Sequence, residues 1–223
     1  MNIKELEQTQ MNNALAYTLG LIFPLYKELT LDNENSFILG CVNHNAGKVT
    51  QEEILKHYIA VCRLFNMYYG DKGPQIKANK TEEYTISPKL GFSVLVEKNG
   101  VSKNECIDIL TKKVEVICNS SEVIKKEFIK GCFDGRASFD TTYNYLSIDV
   151  DRDYKRQDLI INIIEKIGLE INNNRRKDNY EKNDQIRIKP KSLNKFMSIV
   201  GLYSVCRERI IKNRIVQNRG EDK

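Results

Sequence analysis

The segment Glu83–Lys89, E-Y-T-I-S-P-K, returns 102 residues later as Gln185–Lys191, Q-I-R-I-K-P-K. Each copy alternates polar and apolar residues, the period-2 signature of a half-buried strand. Each then meets a proline expected to end the strand, and the proline is followed by an amphipathic segment read as a helix, Gly91–Glu97 in one copy and Leu193–Val200 in the other. Upstream of each lies an apolar-striped helix, Glu52–Phe65 or Arg156–Ile167. Between helix and terminal strand sits a polar strand, Gln75–Lys80 or Asn172–Lys177, and before each helix another strand, Phe37–Val42 or Tyr145–Val150. With an apolar, glycine-containing helix at the head of each copy, the order helix, strand, strand, helix, strand, strand, helix occurs twice. A repeat of this size makes one unit fold twice around a shared core. The expected fold class is α+β, with one αββαββα unit occurring twice. The units are residues 1–100 and 123–223, joined through 101–122, where Ser102–Cys118 carries helical spacing and Asn119-Ser120-Ser121 caps the next helix.

The chain has 223 residues, enough for two such units, and with 41% hydrophobic and 29% charged residues it can bury a core. Its net charge of +5 is unevenly spread. Lys155–Arg219 holds 16 basic and 7 acidic residues, a net of +9, whereas Met1–Tyr154 holds 18 and 21, a net of −3. That asymmetry points to a polyanionic partner met mainly by the C-terminal half. The most apolar window, Ala14–Leu25, is too short to span a bilayer. With no secretory leader pattern the expected location is the cytoplasm, and no membrane partner is expected. Six cysteines stand far apart with no C-x-x-C, which argues for reduced, buried thiols rather than zinc ligands or disulfides.

The heads of the two copies are Ala16–Tyr26, A-Y-T-L-G-L-I-F-P-L-Y, and Glu127–Ser138, E-F-I-K-G-C-F-D-G-R-A-S. Ala16 and Gly20, and likewise Gly131 and Gly135, lie one turn apart, so two helices can approach backbone to backbone on those faces. Ile129–Ser138 resembles the motif that names the LAGLIDADG homing endonucleases, and Thr18–Tyr26 resembles a degraded first copy. The resemblance covers residues 12–215 and implies the same αββαββα order. It implies motif helices packed at a pseudo-two-fold axis and two saddle-shaped sheets along a DNA major groove.

Nucleases of that family cut with a carboxylate at the eighth position of each motif, a pair that clamps divalent metal ions at the scissile phosphates. Here the eighth positions are Leu25 and Arg136, one apolar and one of the wrong charge. Asp134 stands at the sixth position, where family members carry Asp as a helix-end residue. The resemblance, with these departures at Leu25 and Arg136, implies a nuclease-inactive DNA-binding protein, a regulator acting as a monomer with internal pseudo-symmetry, with no metal and no cofactor. The alternative is an active metal-dependent homing or site-specific endonuclease with displaced carboxylates, for which Asp134 and Glu28 are the candidates and Mg²⁺ the cofactor. A second alternative is an RNA-binding, maturase-like protein.

Period 2 assigns the binding surface. In Gln185–Lys189, Ile186 and Ile188 belong to the core, which leaves Gln185, Arg187 and Lys189 on the open face, with Lys191 beyond. In the preceding strand Asn172, Asn174 and Arg176 share one face and Asn173, Arg175 and Lys177 the other, and either is rich in groups that read base edges or hold phosphates. The first copy offers Gln75, Lys77, Asn79, Thr85 and Ser87, a less basic set. Around the second motif, Arg136, Ser138, Asp140 and Ser147 complete the candidate nucleic-acid-binding residues.

Overall fold

A computed structural model describes residues 7–25, 36–39, 51–69, 77–80, 86–89, 92–95, 103–140, 145–175 and 183–221. At its centre is α1 (Asn13–Ile22), capped by Asn12, whose side chain accepts from the Leu15 amide at 2.9 Å. The helix is apolar all round and buried from Ala14 to Ile22. Such a helix must be enclosed on every side.

The first half continues with β1 (Ser36–Leu39), α2 (Gln51–Tyr69), β2 (Lys77–Lys80), β3 (Ile86–Lys89) and β4 (Phe92–Leu95). α3 (Lys103–Cys118) connects to α4 (Glu122–Arg136), whose N-cap Ser121 accepts from Ile124 as expected. The second half is β5 (Ala137–Asp140), β6 (Tyr145–Val150), α5 (Tyr154–Lys166), β7 (Ile171–Asn174), β8 (Asp184–Ile188), α6 (Pro190–Ile199) and α7 (Val205–Glu221). Its four strands form one antiparallel sheet in the order β5-β6-β8-β7. One face of that sheet, with Leu146, Ile148, Val150, Ile186 and Ile188, is buried in the core shared with Ile160, Ile163 and Ile164 of α5 and Leu193 and Phe196 of α6. α3 packs on α1 of the first half and on α4 and α5 of the second, so the link is a wedge between the halves. No helix among the described residues is long and apolar enough to cross a membrane.

Two expectations are corrected. The helix expected at Gly91–Glu97 is strand β4, paired antiparallel with β1 from Ser36↔Leu95 to Leu39↔Phe92. Phe92 and Val94, on alternate positions behind a glycine, suit a pleated strand, and a partner strand was present to take it. The matching segment of the second half does form a helix, with Pro190 in its first turn and Leu193 and Phe196 buried. Pro88 also does not end its strand. It lies within β3, opposite Ala78 of β2, in a two-stranded ladder, where a residue lacking an N–H can still sit on an unpaired side. The first half is thus two two-stranded ladders, β1-β4 and β2-β3, where the second is one four-stranded sheet. The C-terminal helix α7 runs through Gly220 to Glu221.

The halves meet where α1 crosses α4. A Cβ built on Gly20 would lie 2.0 Å from the Phe128 carbonyl oxygen, and one on Gly131 would lie 2.1 Å from the Tyr17 carbonyl oxygen. No side chain fits either place. Phe23 and Phe128 close the flank edge to face, ring centroids 6.2 Å apart. Replacing glycine by alanine in a helix interior ordinarily stabilises by about 1 kcal/mol. Here Gly20→Ala and Gly131→Ala are each expected to cost about 3 kcal/mol, because the added methyl meets backbone and the two helices must part. Gly135→Ala, whose methyl would meet Leu21 at 3.3 Å, is expected to stay within about 1 kcal/mol of wild type. Urea midpoints of the three variants check this ordering, and a wild-type midpoint for Gly20→Ala would refute the contact.

Candidate nucleic-acid interface

Strand register sorts the polar residues of the second-half sheet into rows. Ser138, Ser147, Arg187 and Asn172 stand opposite one another across β5, β6, β8 and β7. Asp149, Gln185 and Asn174 form the next row, and Asp140 pairs with Tyr145. The alternate positions Ile148, Ile186 and Ile188 are fully buried on the other face. Register also decides which residues of β7 share the polar face: Asn172 and Asn174 lie with Arg187 and Gln185, while Asn173, though exposed, lies opposite the buried Ile186.

Within the open face Gln185 donates from Nε2 to Asp149 Oδ1 at 3.0 Å. Its Oε1 accepts from Arg187 Nη2 at 2.9 Å and Nε at 3.2 Å. The Arg187 guanidinium lies over the Tyr145 ring, 5.3 Å from its centroid. Ser147 is buried and forms the floor, its hydroxyl 3.0 Å from that of the exposed Ser138. At the β8 end, Lys189 and Lys191 both reach the Glu170 carboxylate, at 3.4 and 2.7 Å, which holds that carboxyl below its usual range.

Arg175 turns away from this face. Its guanidinium reaches Asp158, donates to Gln157 Oε1 at 3.1 Å and covers the Tyr154 ring at 4.4 Å, so it fastens the end of β7 to α5. Gln75, Thr85, Arg176, Lys177 and Glu28 lie outside the described residues. Lys77 and Asn79 occupy alternate positions of β2, with Ser87 opposite Asn79. Arg136 ends α4 and Asp140 ends β5, the side chains of both, like those of β2 and β3, lying outside the described set.

The two motif helices end in closed surroundings. Leu25 is buried, 5% exposed. Asp134 is fully buried and accepts from Tyr17 Oη and from the backbone amides of Tyr203 and Ser204, each at 3.0 Å. Those amides lead into α7, so Asp134 works as a cap delivered from another helix. A carboxylate already accepting three hydrogen bonds and shut away from water is a poor fit for a divalent ion, and Leu25 offers no ligand atom at all. Among the described residues no group of three or more His, Cys, Asp or Glu is placed to hold a metal ion.

What periodicity did not reveal is that a buried arginine closes each tip. Arg207 donates from Nη1 to the carbonyl oxygens of Phe133 at 2.7 Å and Asp134 at 2.5 Å. Arg156 points Nη1 at the Phe23 carbonyl, 3.5 Å away, while Nη2 pairs with Asp151 at 2.6 Å and Nε with Asp153 at 3.1 Å. The Asp151 amide in turn donates to Pro24 O at 2.8 Å. Carbonyls in the last turn of a helix carry partial negative charge, and a guanidinium offsets it; the Phe133 oxygen accepts from Arg207 in addition to the Ala137 amide. The sequence placed Arg207 in a basic stretch and Arg156 on a helix face; neither position carries a local sign of burial.

No protein-family model matches the chain, and no curated protein sequence does. Solved structures do. The chain is similar to I-DmoI in a crystal structure with DNA and Mn, at 18% identity over 86% of this chain and 98% of that one, with a TM-score of 0.51. It is similar to a mesophilic variant of the homing endonuclease I-DmoI at 16% identity, over 84% and 95% of the two chains, TM-score 0.50. A further I-DmoI variant, bound to its target DNA nicked in one strand, matches at 17% identity over 90% and 97%, TM-score 0.50.

Two buried groups near the second tip titrate in opposite senses. Burial pushes the Asp134 carboxyl up from 3.8 to about 6, against the pull of its hydrogen bonds and of Arg207. Burial, assisted by Arg207, pushes His57 of α2 down from 6.5 to about 4. Asp134 holds its proton more tightly in the folded state, so its contribution to stability falls as pH rises from about 4 to about 6. His57 holds its proton less tightly when folded, so its contribution grows from about 4 to 6.5. Each is worth about 3 kcal/mol, and over that window they nearly cancel. Relative to wild type, Asp134→Asn is therefore expected to gain stability as pH rises through this window, and His57→Gln to lose it. Urea unfolding at both ends of the window measures the two slopes; slopes of the same sign would contradict the assignment.

Proposed function

The chain has the LAGLIDADG homing-endonuclease fold, and on that fold we propose a double-stranded-DNA-binding protein that has given up cleavage and acts as a regulator. It works as a monomer, its two non-identical halves reading an asymmetric site, with no metal or cofactor. The observation that carries this reading is a contrast between two places on one scaffold. The sheet face that would meet a groove keeps Arg187, Gln185, Asn172 and Asn174 in rows. The motif tips, where a nuclease of this fold needs paired carboxylates, have Leu25, Arg136 and a walled-in Asp134.

The excess of basic residues in the C-terminal half supports the same side as the DNA-facing one, since phosphate neutralisation supplies most of the non-specific affinity of such proteins. Lys189 and Lys191, at the rim of the open face and sharing one carboxylate between them, leave net positive charge there. They fit a backbone-positioning role, with base readout left to the rows inside.

A duplex oligonucleotide library, offered with and without Mg²⁺ over a salt series, tests the proposal. Binding is expected to be the same in both arms, with every duplex intact. Lys189→Ala is expected to lower the slope of log affinity against log salt by about one unit. Mg²⁺-dependent nicking that disappears on Asp134→Ala or Glu28→Ala would establish the endonuclease with displaced carboxylates instead. A preference for structured RNA over duplex DNA would establish the maturase-like alternative.

A further inference from the structure

The hydrogen bonds of the open sheet face have a direction, and the direction assigns different tasks to its residues. Gln185 is committed at both ends, Nε2 to Asp149 at 3.0 Å and Oε1 to Arg187 at 2.9 and 3.2 Å. A glutamine reads adenine by offering one donor and one acceptor together. To do that here, Gln185 would have to release Arg187 from Oε1, whose lone pairs are both taken, although Nε2 keeps a second hydrogen beside its bond to Asp149. Arg187 is in the opposite position. Its Nε and the adjacent hydrogen of Nη2 go to Gln185, which leaves the far edge of the guanidinium, Nη1 with the second hydrogen of Nη2, as a parallel pair of donors. The Tyr145 ring, 5.3 Å from the guanidinium, supports the plane from beneath. A fixed fork of two donors matches the O6 and N7 acceptors of guanine in a major groove.

The charge balance agrees. Through Gln185, Arg187 is tied to the Asp149 carboxylate of the neighbouring row, which offsets its field locally and makes it a weak phosphate anchor. Its geometry is unaffected by that offset. We propose that Arg187 reads one guanine in the major groove of DNA bound on the second-half sheet, with Gln185, held by Asp149, as its positioning residue. The inference rests on the duplex-DNA reading above and adds to it the base and the reader.

The test starts from sites that the full chain selects out of a randomised duplex library. One position of the selected site is expected to be a fixed guanine. Arg187→Ala is expected to lower affinity for that site roughly 5- to 150-fold and to erase the preference at that position alone. Replacing that guanine by 7-deazaguanine, which lacks the N7 acceptor, is expected to weaken wild type and leave Arg187→Ala unchanged. Gln185→Ala is expected to weaken the preference at the same position, and Asp149→Asn, which still accepts from Gln185 Nε2, to retain it. Thermal unfolding of each variant confirms that it is folded. Wild-type binding with an Arg187→Ala variant that loses affinity for all sequences alike, or keeps its base preference, would overturn the assignment while leaving DNA binding intact. A Gln185→Ala variant that loses preference at a different base pair would show that Gln185 reads a base itself and would overturn its positioning role. If wild type binds no duplex at all, the DNA-binding reading fails first and this one with it.

Discussion

Two backbones touch at the centre of this protein, and most of what surrounds them follows from that contact. Gly20 and Gly131 let α1 and α4 approach until carbonyl oxygens of one helix rest against the glycine of the other. At that separation the helix ends come together, and residues 117 positions apart become hydrogen-bond partners, as Tyr17 and Asp134 are. Asp134 then organises the start of α7 through the amides of Tyr203 and Ser204. Tyr17 packs edge to face on Tyr203 with ring centroids 5.2 Å apart, closing the same corner.

The chemistry of the tips is set by how completely they are sealed. Arg156 and Arg207 reach into the ends of α1 and α4 and donate to carbonyls at their C-termini. Both arginines are buried, so their charges are tolerable only with good partners, and the tips supply them in Asp151, Asp153 and the carbonyls. A metal-binding tip requires the reverse: carboxylates with free lone pairs and access to solvent and substrate. The sheet face is physically separate from all this. It uses the alternate residues of β6, β7 and β8, which the core does not need, so its polar rows persist whatever closes the tips.

Much of this was legible beforehand, in the places where one periodicity acts alone. The repeat placed the motif helices, the glycine stripes and nearly every second-half element. Period 2 separated Ile186 and Ile188 from Gln185 and Arg187 correctly. It failed where two structures suit one segment. Gly91–Glu97 is short enough to read as either helix or strand, and a partner, β1, settled it as strand. Proline interrupts ladders, which makes Pro88 look like a terminator, yet a two-stranded ladder leaves it an unpaired side. For β7, polar on both faces, only pairing with β8 could say that Asn172 and Asn174 face outward and that Arg175 turns back to α5.

The sequence by itself determined the element order of the second half, the two close-packed motif helices and the absence of a carboxylate at both eighth motif positions. These are matters of residue identity and local spacing, and no folding step alters them. Only the tertiary structure decided that Asp134 is a buried cap, that Arg156 and Arg207 seal the helix ends, and that Gln185 is bound at both ends while Arg187 keeps a free donor edge. Each of those depends on groups distant in the chain being brought within hydrogen-bond range. A side chain's chemistry is inherent in its identity, but which of its donors and acceptors remain available depends on what is folded against it.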